Sequence, residues 1–354
     1  MPSPARVALL GYGHAGAAIH APLIATTRGL RLAAIVTRNE ERRARALGDH
    51  PGVMLLGTAE EIWPKADEFD LVVVAAPNRA HVPLATAALE AGLPVVVDKP
   101  LAAGADEGRT LVGKARRRGL MLTVFQNRRW DGDFLTLRGL LEREALGQVF
   151  RFESRFERWR PELSGGWREL SAPEEAGGLL FDLGSHLVDQ ALQLFGPPQA
   201  VYAELGNRRP GAQVDDDVFV ALEHTSGVAS HLWMSAVAAQ RGPRFRVLGE
   251  RAAYTKYGLD VQEEALQAGR DPTEPGWGEE PREHWGRLGA GEALREIPTE
   301  PGSYGSFYEG VVTSLREDAP PPVDPAEAIA TLDVLEAARS SSRERKVVRL
   351  PATD

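Results

Sequence analysis

The sequence predicts an α/β protein in which a doubly wound parallel sheet is followed by an α+β half with a largely antiparallel sheet. Short, wholly apolar segments alternate with helix-compatible segments over residues 1–125, which is typical of a parallel sheet covered by helices on both faces. A Gly-rich loop joins the first apolar segment to the first helical one. Beyond residue 125, strand-like segments alternate apolar and polar residues, as half-buried antiparallel strands do.

Length and composition indicate a globular protein of two domains. The chain has 354 residues against roughly 150 for a typical domain, and we expect the domains to be 1–125 and 126–354. A net charge of −9 argues against nucleic acid or an anionic membrane as the main partner, and the absence of Cys excludes disulfides and thiolate chemistry. The N-terminus lacks the apolar region of a signal peptide, and no apolar run approaches the ~18 residues of a membrane span. We therefore expect a cytoplasmic enzyme or binding protein.

Six apolar segments of the first domain are predicted to form the parallel sheet, namely residues 7–10, 32–36, 53–56, 71–75, 95–97 and 121–125. Helices are predicted between them at residues 17–27, 81–92 and 106–118. Ligands of such sheets bind outside the carboxyl ends of the strands, so the residues that directly follow each strand are the candidates for a site.

The first strand is followed at once by Gly11-Tyr12-Gly13-His14-Ala15-Gly16, a G-x-G-x-x-G sequence between a strand and a helix. In that context Gly11 permits the tight turn, Gly13 lets a pyrophosphate approach the backbone, and Gly16 lets helix and strand pack closely. The helix that follows offers free N–H groups to the phosphates. These six residues therefore predict a dinucleotide-binding loop.

The second strand ends in Thr37-Arg38-Asn39, where NAD-binding proteins carry an acidic residue for the ribose 2′-hydroxyl. A hydroxyl and a guanidinium can instead bind a 2′-phosphate, so Thr37 and Arg38 favour NADP as the cofactor. NAD is the alternative cofactor. The alternative is a solvated helix face in which the Arg residues at 38, 42 and 43 pair with Glu40 and Glu41.

The strand at residues 95–97 delivers Asp98 and Lys99 at its carboxyl end, and Pro100 stops it. A Lys at this edge of the sheet is well placed for chemistry on a bound ligand. The alternative is a surface Lys that closes a strand.

One helix of the second half carries a further candidate pair. Apolar residues recur at helical spacing between Gly177 and Asp189, and Asp182 and His186 are four residues apart, so they share one face of a helix. Such a carboxylate and imidazole could act as orienter and base, or could form a helix-stabilising pair. No set of three ligands has a spacing suited to a metal, so no metal site is expected.

The rest of the second half is predicted to contain strands at 149–156, 200–205, 218–224, 227–234 and 245–248. Helices are predicted at 134–144, 307–316 and 325–340, the last with Asp324 as its N-cap. Residues 224–227 read as a hairpin turn. Residues 262–302 show little periodicity, and we expect a long excursion that is either an active-site cover or an oligomer contact.

Taken together, these motifs resemble the glucose–fructose oxidoreductase / inositol dehydrogenase family (Gfo/Idh/MocA). The resemblance covers nearly the whole chain and rests on the Gly loop, Asp98-Lys99-Pro100, Asn127-Arg128-Arg129 and Gly178 through His186. The family usually has Glu-Lys-Pro at the strand end. The version with Asp98, with the run from Phe125 to Asp131, is similar to the branch that holds NADP-dependent scyllo-inositol dehydrogenases.

The resemblance implies a Rossmann domain followed by an α+β domain with a large, open, mostly antiparallel sheet, one face of which mediates homodimers or homotetramers. It implies a catalytic triad of Lys99, Asp182 and His186. Besides the Gly loop and Thr37-Arg38, we expect cofactor contacts from Pro77, Asn78, Asp98, Lys99 and Asn127. Candidate substrate contacts are Arg128, Arg158 and Trp159, whereas for Trp167 a packing role has equal support.

The expected function is that of an NADP-dependent oxidoreductase that transfers a hydride between the nicotinamide and a secondary alcohol or ketone of a sugar, an inositol or a related polyol. Two alternatives come from other classes. One is a cofactor-binding regulator without catalysis, and the other is a glycosidase that uses NAD for transient oxidation of a sugar.

Overall fold

The computed structural model describes residues 3–163, 165 and 176–351. The chain divides into two compact units, each discontinuous in sequence. The first comprises Met1–Trp130, Val261–Trp277 and Ser303–Ile329, and the second comprises Asp131–Asp260, Gly278–Gly302 and Ala330–Asp354. The first unit therefore includes segments from far beyond residue 125.

The first unit is built on a six-stranded parallel sheet, which confirms the predicted doubly wound fold. Its strands are β1 (Ala5–Leu10), β2 (Leu30–Val36), β3 (Met54–Leu56), β4 (Leu71–Val74), β5 (Val95–Asp98) and β6 (Leu122–Phe125). They lie in the order β3-β2-β1-β4-β5-β6, and every neighbouring pair is parallel. Every residue of β4, β5 and β6 is buried, which explains why these strands are so apolar in sequence.

The predicted helices are found close to their expected positions, and the structure adds helices at residues 40–49 and 262–267. A π-helical turn at Gly16–His20 leads into α1 (Ala21–Thr26), and the others are α2 (Glu40–Asp49), α3 (His81–Glu90), α4 (Ala105–Arg118), α5 (Gly132–Glu142), α6 (Leu179–Asp182), α7 (Gly184–Phe195), α8 (Gln262–Gln267), α9 (Gly305–Glu317) and α10 (Pro325–Glu344). Asp324 caps α10 as predicted, because its Oδ1 accepts the Ala326 N–H at 2.8 Å. None of the described helices is both long enough and apolar enough to span a membrane.

A nine-stranded sheet forms the core of the second unit. Its strands are β7 (Val149–Glu157), β8 (Pro198–Gly206), β9 (Asp217–His224), β10 (Ala229–Ser235), β11 (Phe245–Gly249), β12 (Ala253–Lys256), β13 (Gly286–Ala290), β14 (Ala293–Ile297) and β15 (Val348–Arg349). The order is β14-β13-β12-β11-β7-β10-β9-β8-β15, and all neighbouring pairs except one are antiparallel. β7 is antiparallel to β11, as predicted, but parallel to β10. The turn at 224–227 joins β9 to β10, with the Gly227 N–H donating to the His224 carbonyl at 2.9 Å.

The segment 262–302, expected to be an irregular excursion, contains a helix and a hairpin. α8 and its continuation to Trp277 belong to the first unit, whereas β13 and β14 extend one edge of the nine-stranded sheet. The hairpin shows little alternation in sequence because β14 is exposed along most of its length. Gly286 further weakens the pattern, since a Cβ there would lie 2.3 Å from the Tyr254 hydroxyl oxygen.

Candidate active-site residues

The three glycines of the loop after β1 differ in what a side chain at each position would meet. Gly11 has a φ of +108°, and a Cβ there would lie 2.3 Å from the Ala75 carbonyl oxygen, at the end of β4. A Cβ at Gly16 would lie 2.1 Å from the Gly11 carbonyl oxygen. Both positions therefore need glycine for the fold itself.

Gly13 differs from the other two, because a Cβ there would meet only the Arg42 guanidinium, at 3.7 Å. Nothing in the packing of the described residues explains the missing side chain. The helix begins at this point, where the Ala17 N–H donates to the Gly13 carbonyl at 2.8 Å. A bare backbone at a helix start, beside an Arg, fits the pyrophosphate of a dinucleotide.

Two single substitutions separate these roles. We expect Gly11→Ala to destabilise the protein by more than about 2 kcal/mol, from a disfavoured φ and a backbone clash. Gly13→Ala should change stability by less than about 1 kcal/mol but weaken NADPH binding by about tenfold or more. Urea unfolding and NADPH fluorescence titration measure the two effects. Wild-type affinity in Gly13→Ala would contradict the assignment of Gly13 to the phosphates.

The other side chains of the loop point to neighbouring helices. Tyr12 is buried, and its hydroxyl donates to Asp49 Oδ2 at the end of α2 at 3.0 Å. The exposed ring of His14 has its Nε2 3.3 Å from the Gln267 side-chain nitrogen, in α8. The short segment containing α8 thus packs beside the Gly loop, a contact that no local sequence pattern indicates.

The strand end after β2 carries no acidic residue. Thr37 is buried, and its N–H donates to the Leu56 carbonyl at 3.0 Å. Arg43 donates to the Thr37 carbonyl at 3.2 Å and lies 3.9 Å from Glu40. For Arg43 the structure therefore agrees with the alternative in which the Arg residues pair with the Glu residues of the same helix. Arg38 is exposed, and Arg42 lies near Gly13. These two guanidinium groups are the ones that could hold a 2′-phosphate.

The loop after β4 contains Pro77 and the buried Asn78, which starts a short 3₁₀ turn. The buried His81 ties this loop to the one after β5. Its Nδ1 lies 2.8 Å from the Pro100 carbonyl oxygen and its Nε2 lies 2.8 Å from the Ala76 carbonyl oxygen. Burial lowers the pKa of His81, although nearby Asp98 opposes that shift. No local sequence pattern indicates this link between the two strand ends.

Asp98 and Lys99 follow the buried Val residues of β5. Asp98 is 9% exposed, and its Oδ1 accepts the Lys99 N–H at 2.9 Å. Burial opposes ionisation of Asp98, but the interaction with His20, together with smaller contributions from Lys99 and His81, outweighs burial and lowers the pKa of Asp98 below its ordinary value. Lys99 is half-buried, and the Lys99–Pro100 peptide bond is cis. The strand therefore ends in a fixed carboxylate followed by a partly accessible Lys.

Asn127 and Arg128 lie in a 3₁₀ turn directly after β6, and both are buried. Arg128 donates to the Tyr304 hydroxyl at 3.2 Å and forms an ion pair with Glu263 of α8. Glu263 in turn accepts from Gln267, the neighbour of the Gly-loop His14, at 3.1 Å. A chain of polar contacts thus links Arg128 to the Gly loop within the first unit.

Asp182 and His186 belong to the second unit. They were predicted on a single helix, and the structure has two short helices, α6 and α7, that meet at Leu183, whose backbone dihedral angles remain helical. At this boundary the His186 N–H donates to the Leu183 carbonyl at 3.1 Å, while the Ser185 hydroxyl donates to the Asp182 carbonyl at 3.4 Å. His186 is buried, with its ring edge-to-face against Phe156 at 6.3 Å.

Asp215 supports the start of α6 and was not identified from the sequence. Its Oδ2 accepts the Leu180 N–H at 2.7 Å, and its carbonyl accepts the Leu179 N–H at 2.9 Å. A Cβ on Gly178, whose φ is +89°, would lie 2.3 Å from Asp215 Oδ1. Burial raises the pKa of Asp215 to about 6, against the hydrogen bond from Leu180. Gly178 therefore makes room for the Asp215 side chain that caps α6.

Arg158 and Trp159 follow β7 in the second unit. The Arg158 N–H donates to the Ser235 carbonyl at 2.8 Å, and Trp159 forms an isolated bridge with Val237. The Trp159 side chain is 54% exposed. Trp167 lies outside the described residues.

The structure places the predicted site residues in two groups. The Gly loop, Thr37-Arg38, Pro77-Asn78, Asp98-Lys99 and Asn127 all lie at the carboxyl ends of strands of one parallel sheet. Asp182, His186, Arg158 and Trp159 belong to the second unit. In the described part of the chain, no group of three His, Asp or Glu residues is arranged to hold a metal ion.

Family models match both halves of the chain. Residues 5–126 match the oxidoreductase family with an NAD-binding Rossmann fold, and residues 138–350 match the C-terminal alpha/beta domain of the same oxidoreductase family.

Full-length relatives agree with these matches. The chain is 40% identical to the oxidoreductase YdgJ of Escherichia coli, with 98% of each chain covered. It is 36% identical to the scyllo-inositol 2-dehydrogenase (NADP(+)) IolW of Bacillus subtilis, with 98% of this chain and 96% of IolW covered. The solved structure of the oxidoreductase yvaA from Bacillus subtilis superimposes with a TM-score of 0.93 at 35% identity, covering 99% of both chains. The chain therefore belongs to the Gfo/Idh/MocA family of oxidoreductases, whose NAD-binding Rossmann domain it carries.

Proposed function

We propose that this oxidoreductase is an NADP-dependent dehydrogenase that transfers a hydride between the nicotinamide and a secondary alcohol or ketone of a sugar, an inositol or a related polyol. The observation that carries the proposal is the carboxyl edge of the parallel sheet. There the bare backbone of Gly13, the exposed Arg38 and the half-buried Lys99 follow strands of one sheet. The name of IolW, an NADP-dependent inositol dehydrogenase, supports the same substrate class and cofactor.

The proposed mechanism uses residues of both units on one substrate. Bound NADP would supply the hydride acceptor for oxidation and the hydride donor for reduction. In oxidation, His186 accepts the proton of the substrate hydroxyl while Lys99 donates a hydrogen bond to the same oxygen and stabilises its negative charge. Asp182 orients His186 or binds a neighbouring hydroxyl. In reduction, the same groups return a proton to the carbonyl oxygen, so that the ketone becomes a secondary alcohol.

Three further residues are proposed to select the substrate. Trp159 has an exposed aromatic face of the kind that packs against sugar rings, and the guanidinium groups of Arg128 and Arg158 suit hydroxyl groups. Arg128 already contacts Glu263 and Tyr304, so its orientation is fixed within the first unit.

A panel of inositols, aldoses and ketones with NADP and NAD, followed at the nicotinamide absorbance, tests the proposed function. We expect stoichiometric reduction of NADP with at least one polyol or sugar. Cofactor binding without turnover of any substrate would favour a regulator. Cleavage of a glycoside with no net change in NAD absorbance would favour a glycosidase that oxidises its substrate transiently.

The preference for NADP gives a separate prediction. We expect Arg38→Gln to lower kcat/KM for NADP by about tenfold, since a charge-assisted hydrogen bond to phosphate contributes about 1.5 kcal/mol or more. Its effect with NAD should be less than about twofold. Arg45→Gln, which alters an exposed pair with Asp49 on α2, is the matched control. A wild-type enzyme that uses NAD as efficiently as NADP would contradict the assignment of Arg38.

We also propose that the chain forms a homodimer or homotetramer through the face of its nine-stranded sheet that carries Phe219, His231 and Trp233. Phe219, His231 and Trp233 contact one another on that face, and the Arg155 guanidinium lies 3.9 Å from the Trp233 ring centre. All four side chains are half-buried. Sedimentation analysis at micromolar concentration tests the proposal, and a monomer would contradict it.

A further inference from the structure

A row of three polar side chains crosses the interior of the first unit beneath the end of β5. The Tyr308 hydroxyl, on α9, lies 2.6 Å from Nδ1 of His20. Nε2 of the same ring lies 3.6 Å from Oδ1 of Asp98. His20 and Tyr308 are fully buried, and Asp98 is 9% exposed. None of the roles assigned above uses His20 or Tyr308.

The contacts indicate which member of this row donates a proton to which neighbour. Asp98 Oδ1 accepts the Lys99 N–H, so a negative charge faces Nε2 of His20. A ring nitrogen facing a carboxylate is stabilised only when it carries the proton, because its lone pair would otherwise be repelled. When Nε2 alone carries the ring proton, Nδ1 can only accept. Tyr308 therefore donates its hydroxyl proton to His20, and His20 directs its Nε2–H at Asp98.

The surroundings keep this direction of proton donation fixed. The ring of Phe125 lies 4.5 Å from that of His20 and 5.8 Å from that of Tyr308, so apolar surface encloses the row. Burial raises the pKa of Tyr308 well above its ordinary value, and the charge of Asp98 adds to that effect, so the hydroxyl keeps its proton. The titratable groups that act on Asp98 are His20, Lys99, His81 and Tyr308.

Local structure supports a specific role for His20. The residue ends the π-helical turn Gly16–His20, which follows the Gly loop directly. π-helical turns are rare and occur frequently at functional sites. This turn places one side chain of the cofactor-binding helix against the residue that precedes Lys99.

We propose that Tyr308 and His20 are positioning residues that act through Asp98 to hold the strand end and the charge beside Lys99. The proposal rests on the function proposed above. Tyr308 fixes the tautomer of His20, His20 holds the Asp98 carboxylate, and the carboxylate anchors the Lys99 backbone.

Substitutions along the row test the role through a pH profile. We expect Tyr308→Phe and His20→Leu to lower kcat by about tenfold and to raise the midpoint of its acid limb by about one pH unit, because Asp98 becomes easier to protonate. KM for NADPH should stay within about twofold. His20→Gln, which keeps an N–H donor, should restore part of the loss. An acid limb unmoved in Tyr308→Phe overturns the proposal.

A matched control separates this role from general packing. Thr123→Val removes a buried hydroxyl of the same unit, which bonds to the Val323 carbonyl at 2.8 Å, without touching the row. Its acid limb should coincide with that of the wild type. If His20→Leu does not fold, Tyr308→Phe decides the matter, since it deletes one oxygen atom and keeps the ring. A shift of the acid limb in Thr123→Val as large as that in Tyr308→Phe would overturn the specific role of the row.

The tautomer of His20 can be measured without any turnover. In protein labelled with ¹⁵N-histidine, the His20 signal is identified by its loss in His20→Gln. We expect a protonated Nε2 and an unprotonated Nδ1 in the wild type, and a changed Nδ1 shift in Tyr308→Phe. A protonated Nδ1 and an unprotonated Nε2 in an active enzyme would overturn the proposal. The expected tautomer in a chain that turns over no substrate contradicts the proposed function instead.

Discussion

Lys99→Met is expected to lower kcat for polyol oxidation by about 10²–10³-fold, which corresponds to about 3–4 kcal/mol of lost transition-state stabilisation. Met keeps the length of the side chain but removes the cation that faces the substrate oxygen in our mechanism. The dissociation constant of NADPH should stay within about threefold of the wild-type value, since the Gly loop and Arg38 are unchanged. Steady-state kinetics and a fluorescence titration measure the two quantities.

Lys114→Met is the control for this substitution. Lys114 lies on α4 of the same unit and forms a surface ion pair with Glu90, so its loss should affect kcat by less than about twofold. Full hydride transfer in Lys99→Met would contradict the role of Lys99. An equal loss in both variants would show that the effect is not specific to the strand end.

Lys99 could be identified from the sequence because local pattern and fold class determine its position together. A fully buried parallel strand must be apolar throughout, so the three Val residues of β5 stand out. The first polar residues after such a strand lie at the carboxyl edge of the sheet. Gly11 and Gly16 could likewise be identified from the sequence, because the contacts that exclude a side chain at these positions lie within the loop and beside the neighbouring strand.

The residues that escaped the sequence analysis depend on contacts between distant parts of the chain. His20 and Tyr308 are 288 residues apart, and Arg128 and Glu263 are 135 apart. No local pattern links such residues. Asp215 was missed for the same reason, since it caps a helix that begins more than thirty residues earlier.

Two of the predicted helix and strand boundaries differ from those of the structure. The apolar spacing around Asp182 continues through Leu183, so periodicity alone predicts one helix. At the boundary the Ser185 hydroxyl donates to the Asp182 carbonyl and the His186 N–H donates to the Leu183 carbonyl, contacts that the pattern of apolar residues does not encode. The hairpin of β13 and β14 was hidden because an exposed edge strand needs no alternation.

His186→Gln is expected to lower kcat/KM for polyol oxidation by about 10²–10³-fold, because the substrate hydroxyl loses the base that accepts its proton. Gln retains hydrogen-bonding groups of similar reach, so the buried position next to Phe156 keeps a polar side chain. NADPH affinity should not change, since His186 belongs to the second unit. His284→Gln, at an exposed position of that unit, is the control and should retain wild-type activity. Wild-type kcat/KM in His186→Gln would contradict its role as the base.

A double variant then tests whether Lys99 and His186 act on the same oxygen, as the mechanism requires. Independent groups contribute independently to the barrier, so their fold-losses would multiply. Groups that act together on one proton transfer behave as a unit, and once one is absent the other has little left to stabilise. We therefore expect the activity of the Lys99→Met/His186→Gln enzyme to be little lower than that of the less active single variant. A loss equal to the product of the two would show that they serve separate steps, and would contradict the shared substrate oxygen.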